Sequence, residues 1–155
     1  RGKPLFQEGK VEFLQGKIIG AVAGDTHGLK AIYRMFLWDS PRFLFTRRDP
    51  KDAVSEDHLD LSLKYICKEG QSQRQRFEMI RKELPPQEIV LDLDPTSLHP
   101  DTNLSPPDFT TLVTLVEFGK VSHILDYSTM PDVQIYESLI RLKKNNLIRV
   151  APPSP

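Results

Sequence analysis

Apolar or small residues recur at Leu59, Leu63, Ile66, Gly70, Phe77, Ile80 and Leu84, and with Gln73 included the steps alternate four and three throughout. That is heptad rhythm, the spacing of a helix with one buried seam. The seam is apolar at both ends and small or polar at its centre, Gly70 and Gln73. It predicts one long helix, or two broken near Gly70, over residues 55–84. Ser55 is placed to cap it, Glu56 and Asp57 to favour its first turn, and Pro85-Pro86 to stop it. A helix of that length joins an N-terminal part of the chain to a C-terminal part.

The N-terminal part has strand character. Residues 1–8 read as an approach segment with one short strand. Val11 to Leu14, the pair Gln15-Gly16, and Lys17 to Ala23 form a hairpin pattern, Gly supplying the φ > 0 that a two-residue turn prefers. Gly24-Asp25-Thr26-His27-Gly28 breaks the second strand, with Asp25 or Thr26 able to cap a helix. Leu29, Ile32, Tyr33 and Phe36 then recur at helical spacing. Pro41 ends that run, and Phe43 and Phe45 alternate within Arg42 to Arg47 as in a strand. Residues 1–50 thus read as β-β-α-β, one small antiparallel sheet with a packed helix.

The C-terminal part is mostly helical. Glu88 to Leu93 can form a short strand, and the prolines of 85–104 mark a linker or crossing loop. Ser105 with Pro106 opens a helix whose apolar side is Leu112, Leu115, Val116 and Phe118. Gly119-Lys120 breaks it; Val121, Ile124 and Leu125 make a short second helix. Asp132 to Asn145 is a third, with Val133, Ile135, Tyr136, Leu139, Ile140 and Leu142 inside. Asn145-Asn146 stops it, and Leu147 to Val150 is a strand. This order, over 105–151, is that of a winged-helix-like segment with its wing cut short. The fold class is therefore α+β.

The totals narrow function. With 155 residues the chain holds one medium domain or two small ones. Its 21 basic residues balance 21 acidic ones, which removes the global field of a non-specific nucleic-acid binder. A single cysteine, Cys67, rules out an internal disulfide framework and suits a reducing cytoplasm. No apolar run reaches membrane-spanning length. The chain opens at Arg1 without Met and reads as entering partway into a domain.

Ala21 to Gly28 looks like the first motif of calcineurin-like metallophosphoesterases, where an Asp and a His at such a turn help bind two metals. Such a site needs more ligands than His58, His99 and His123 supply, since none of these stands beside an Asn or in a Gly-His pair. The expectation is a helix cap at Asp25 or Thr26 and a solvent-facing His27. Cys67 lies on or beside the seam as a small buried group. Neither a nucleophile elbow nor a phosphate-binding glycine loop occurs, so no catalytic, cofactor or metal residue is assigned. Arg141, Lys143, Lys144 and Arg149 gather at the end of the third helix and could meet a DNA duplex. However, Asp132, Val133, Gln134 and Glu137 stand where bases would be read, and basic residues at a helix C-terminus also complement its dipole.

Gly9-Lys10-Val11-Glu12-Phe13-Leu14-Gln15-Gly16-Lys17-Ile18-Ile19-Gly20-Ala21 resembles the hairpin of PATAN-type domains, which are named for the N-terminus of the cyanobacterial PatA regulator. Gly24 and Gly28 resemble the next turn in that family, Ala31 to Phe36 its helix and Pro41 to Phe45 its next strand. Leu104 to Ile148 looks like the winged-helix-like segment that family members often carry after it. Those members usually begin with a leucine-rich helix, which is missing before Arg1. The resemblance implies a non-catalytic, cytoplasmic bacterial module that binds proteins, in response-regulator, motility or type IV pilus signalling. Candidate surfaces are the sheet edge with Glu12, Gln15 and Lys17, the long helix with Gln73 and Phe77, and the third C-terminal helix with Arg141 and Lys144. A homodimer through the long helix, with Gly70 and Gln73 setting register, is a further reading. The rival reading is a DNA-binding regulator using the winged helix.

Overall fold

The computed structural model describes residues 7–49, 51, 59 and 62–153. The approach segment before Gln7 and the cap at Ser55, with Glu56 and Asp57, lie outside them. The chain is α+β and divides into two compact units, Arg1–Phe77 and Glu78–Pro155.

In the first unit β1 (Gly9–Leu14) and β2 (Lys17–Ala23) form the expected hairpin, Gly9 opposite Ala23 and Leu14 opposite Lys17. Gln15 and Gly16 both take positive φ, 50° and 76°, as a turn matching the twist of its strands requires. The register shifts between Glu12 and Phe13. The bulge breaks the simple alternation and leaves Phe13 half exposed.

Beyond Ala23 the structure departs from expectation. Neither Asp25 nor Thr26 caps the helix. A two-residue strand β3 (Thr26–His27) folds back on β2, and α1 (Gly28–Phe36) starts at His27 with no side-chain cap. Thr26 is instead buried, its hydroxyl unpartnered, and His27 faces solvent. Arg42 to Arg47 forms no strand: Phe43, Leu44 and Phe45 stand in solvent. Just upstream, Arg74 holds the carbonyls of Leu37 and Trp38 at 2.8 and 3.1 Å, and Ser40 takes a left-handed φ of 45°. Among the described residues, Arg42 to Arg47 has no pairing with the β1–β2–β3 sheet.

The seam forms, shorter than expected, as α2 (Leu63–Ile80). A 3-10 turn Arg81–Glu83 comes next, and Leu84 is extended, at ψ 128°. Leu84 precedes Pro85, whose ring disfavours helical geometry in its neighbour, so the helix unwinds before the prolines. The boundary between the units falls inside α2, after Phe77. Ile66, Gly70 and Gln73 are its buried residues. Ile66 joins Ile18, Ala21, Ala23, Ala31, Ile32 and Tyr33 in one core. Gly70 is there because the ring of Phe36 presses on the helix: a Cβ at that position would lie 2.5 Å from Cδ2.

The second unit contains α3 (Pro106–Phe118), α4 (Val121–Tyr127), α5 (Asp132–Lys144) and β5 (Ile148–Val150). Ser105 caps α3 as expected, its Oγ accepting the Asp108 N–H at 3.4 Å, and Gly119 ends it at φ 68°. Asn146, at φ 59°, makes the left-handed stop after α5. The partner of β5 comes from upstream. β4 (Leu91–Leu93) pairs antiparallel with it, Leu91 opposite Val150, and Val90 bridges Lys120. The crossing loop from β4 to α3 is ordered: Asp94 accepts from the N–H and hydroxyl of Thr96 at 3.1 and 2.7 Å.

Candidate interaction surface

α3 carries the face that stands out in the second unit. Its inward side is Asp108, Thr111, Leu112 and Leu115. Its outward side is also apolar. Phe109, Val113 and Val116, at steps of four and three, are 59%, 50% and 62% exposed. Val116, expected inside, is thus part of the surface. Asp108 is buried, which leaves Glu117 as the helix's one surface charge. A helix apolar on both sides has one face in the core and one without a partner in its own unit.

The stripe runs into an open groove of about 510 Å³ between the end of α3 and the β4–β5 ribbon. Val116 and Phe118 form one wall, Leu91, Leu93 and Pro95 the other, and Arg149 and Glu117 also line it. Behind α3, Phe118 stacks on Tyr127 at 4.5 Å between ring centres, and His123 meets the same ring edge-on.

The basic end of α5 is largely occupied. Arg141 grips the buried Asp108: Nε lies 3.1 and 3.2 Å from the two carboxylate oxygens and Nη2 is 2.8 Å from Oδ1. Burial alone would push the Asp108 carboxyl up. Hydrogen bonds with Arg141 and Ser138, the Arg141 charge and a hydrogen bond with Ser105 outweigh it and hold the group below the usual carboxylate range. Lys144 reaches Glu83 at 3.1 Å and Arg149 reaches Asp92 at 3.7 Å. Along the first part of α5, where bases would be read, Asp132, Val133, Ile135, Tyr136 and Ser138 are all buried.

The sequence-assigned positions scatter. Gln73 is 2% exposed, its Nε2 donating to Glu69 at 3.2 Å, so it is a core residue of the first unit and not surface. Gly70 and Ile66 are equally internal, whereas Leu63 on the same seam is exposed. Phe77 is half-buried. Glu12 is half-buried and paired with Lys10 at 2.8 Å, while Gln15 and Lys17 are exposed at the hairpin end. Arg141 and Lys144 share a helix end but point to different acids. Residue patterns alone did not single out Phe109, Val113 and Val116 as a surface. Their signal was present: α3 has apolar residues on every side, with charge at only two positions.

No group of three or more His, Cys, Asp or Glu side chains placed to hold a metal ion occurs among the described residues, and none of the helices described is long and apolar enough to cross a membrane. No protein-family model, curated protein or solved structure matches the chain.

Proposed function

We propose that this chain is a non-catalytic protein–protein interaction module whose second unit docks partners on the outer face of α3. The observation that carries this reading is the Phe109–Val113–Val116 stripe, nearly without charge and continuous with an open groove of mixed apolar and charged lining. A partner helix laid along it would bury anchors at helical spacing, the usual mode of helix-in-groove recognition. The resemblance to PATAN-type domains agrees with such a role and supplies the bacterial cytoplasmic signalling context as part of the proposal.

DNA binding is the weaker reading. The order of α3, α4, α5 and β5 suits it, but α5 spends its first half on the core and Arg141 on Asp108.

The test is a comparison of wild type with Val113→Glu in affinity capture from a bacterial extract. A protein retained by the first and lost with the second, at unchanged circular dichroism, is the expected result. Identical captured sets would refute the α3 face. Steeply salt-dependent duplex binding that weakens in an Arg141→Ala/Lys144→Ala double variant would establish the rival.

A further inference from the structure

The first unit holds a second feature that its fold leaves unexplained. Phe43, Leu44 and Phe45 are 91%, 93% and 82% exposed, three large apolar side chains in succession. Each forgoes the gain that burial brings. The segment Pro41–Asp49 carries no helix or strand, and all of its residues are exposed. Cations flank it: Arg42 before, Arg47 and Arg48 after, all exposed and none in an ion pair among the described residues. The neighbouring acids are engaged, Asp39 by the Arg74 guanidinium at 2.8 Å and Asp49 by the Lys51 N–H at 3.0 Å.

We propose that Pro41–Asp49 is a membrane-surface loop, seating Phe43, Leu44 and Phe45 at the boundary between headgroups and acyl chains of an anionic bilayer. Arg42, Arg47 and Arg48 then lie against lipid phosphates. Three successive exposed apolar side chains with exposed cations on both sides in the sequence pair an apolar anchor with positive charge, which fits the boundary of an anionic lipid layer. The arginine stems can rest along the apolar zone while their heads stay among the phosphates. Seating is shallow, because the irregular backbone keeps its polar groups at a depth that water still reaches. Attachment by one such loop is reversible, and it rests on none of the features assigned to α3.

The test uses the whole chain, sedimented with vesicles of phosphatidylcholine containing phosphatidylglycerol and with phosphatidylcholine alone, at low and high salt. Binding to the anionic vesicles that falls with salt is expected. Reversing two cations, Arg47→Glu with Arg48→Glu, should lower it about tenfold or more. Phe43→Ser with Leu44→Ser and Phe45→Ser should lower it at least as far, since the apolar anchor is gone. These side chains lie in solvent, so circular dichroism should not change. If reversal perturbs folding, Arg47→Gln with Arg48→Gln serves in its place. No sedimentation with anionic vesicles, equal binding to neutral ones, or full binding by either variant would overturn the proposal. So would loss, in the Phe-to-Ser variant, of a protein partner with no vesicle binding in the parent.

Discussion

Arg141 on α5 and Asp108 in the first turn of α3 form a forked pair across 33 residues of chain, with both Nε and Nη2 donating to the carboxylate. The pair joins the two longest helices of the second unit. It also engages the arginine that a DNA-binding reading would most depend on. Asp108 has a side chain only 10% exposed, whereas that of Arg141 is 47% exposed.

Loss of the carboxylate should therefore be costly. Asp108→Ala should destabilise the second unit by about 2 kcal/mol, less than a fully buried pair because Arg141 regains water. Arg141→Lys should recover only part of this, since an ammonium cannot match the fork. Denaturant unfolding monitored by far-ultraviolet circular dichroism measures both.

The same pair sets a pH dependence. Asp108 has its carboxyl held low in the folded chain, so the folded form binds its proton more weakly than the unfolded one. The stabilisation is complete above the ordinary Asp range and is lost as pH falls through that range towards the lowered folded value. Arg141 is shifted upwards, so its share is present throughout and fades only at extreme alkalinity. Melting temperatures of wild type should fall more steeply on acidification than those of Asp108→Asn. Parallel curves would remove Asp108 from the account.

Gly70→Ala tests whether the α2 seam is internal. Alanine improves helix propensity by about 1 kcal/mol. Its methyl would press on Cγ, Cδ2 and Cε2 of Phe36, a rigid ring that must move. Overpacking of this kind costs about 1–3 kcal/mol, so a net loss is expected. Trp38, the single tryptophan, lies in the first unit and reports its unfolding by fluorescence. A stabilised variant would mean that Phe36 yields easily.

Arg74 closes the end of α1 from a different helix. Its Nη1 donates to the carbonyls of Leu37 and Trp38, and its Nη2 to Asp39. Arg74→Ala should leave those carbonyls without their donor and lower first-unit stability by about 1–2 kcal/mol, read from the same tryptophan. Arg74→Lys should restore less than half, because one ammonium cannot span three acceptors.

Much of the fold could be read from local pattern. The Gln15-Gly16 turn, the Ser105 cap and the periodicity of Val133 to Leu142 each lie within a few residues, and the structure has them where the pattern put them. Expectation failed where the outcome depended on a distant partner. Phe43 and Phe45 alternate like a strand, yet a strand needs a neighbour. The strand at Ile148 takes its neighbour from distant Leu91–Leu93.

The candidate surface divides in the same way. That α3 is apolar on every side is written in its residues. Which side lies inside was settled by packing against α5 and β4, which took Leu112 and Leu115 and left Val113 and Val116 outside. Likewise the heptad rhythm within Leu59 to Leu84 dictated a helix with one buried stripe, whatever that stripe meets. Only the folded chain assigned Ile66 and Gly70 to their own sheet and helix, because a periodic pattern specifies a face and carries no record of what covers it.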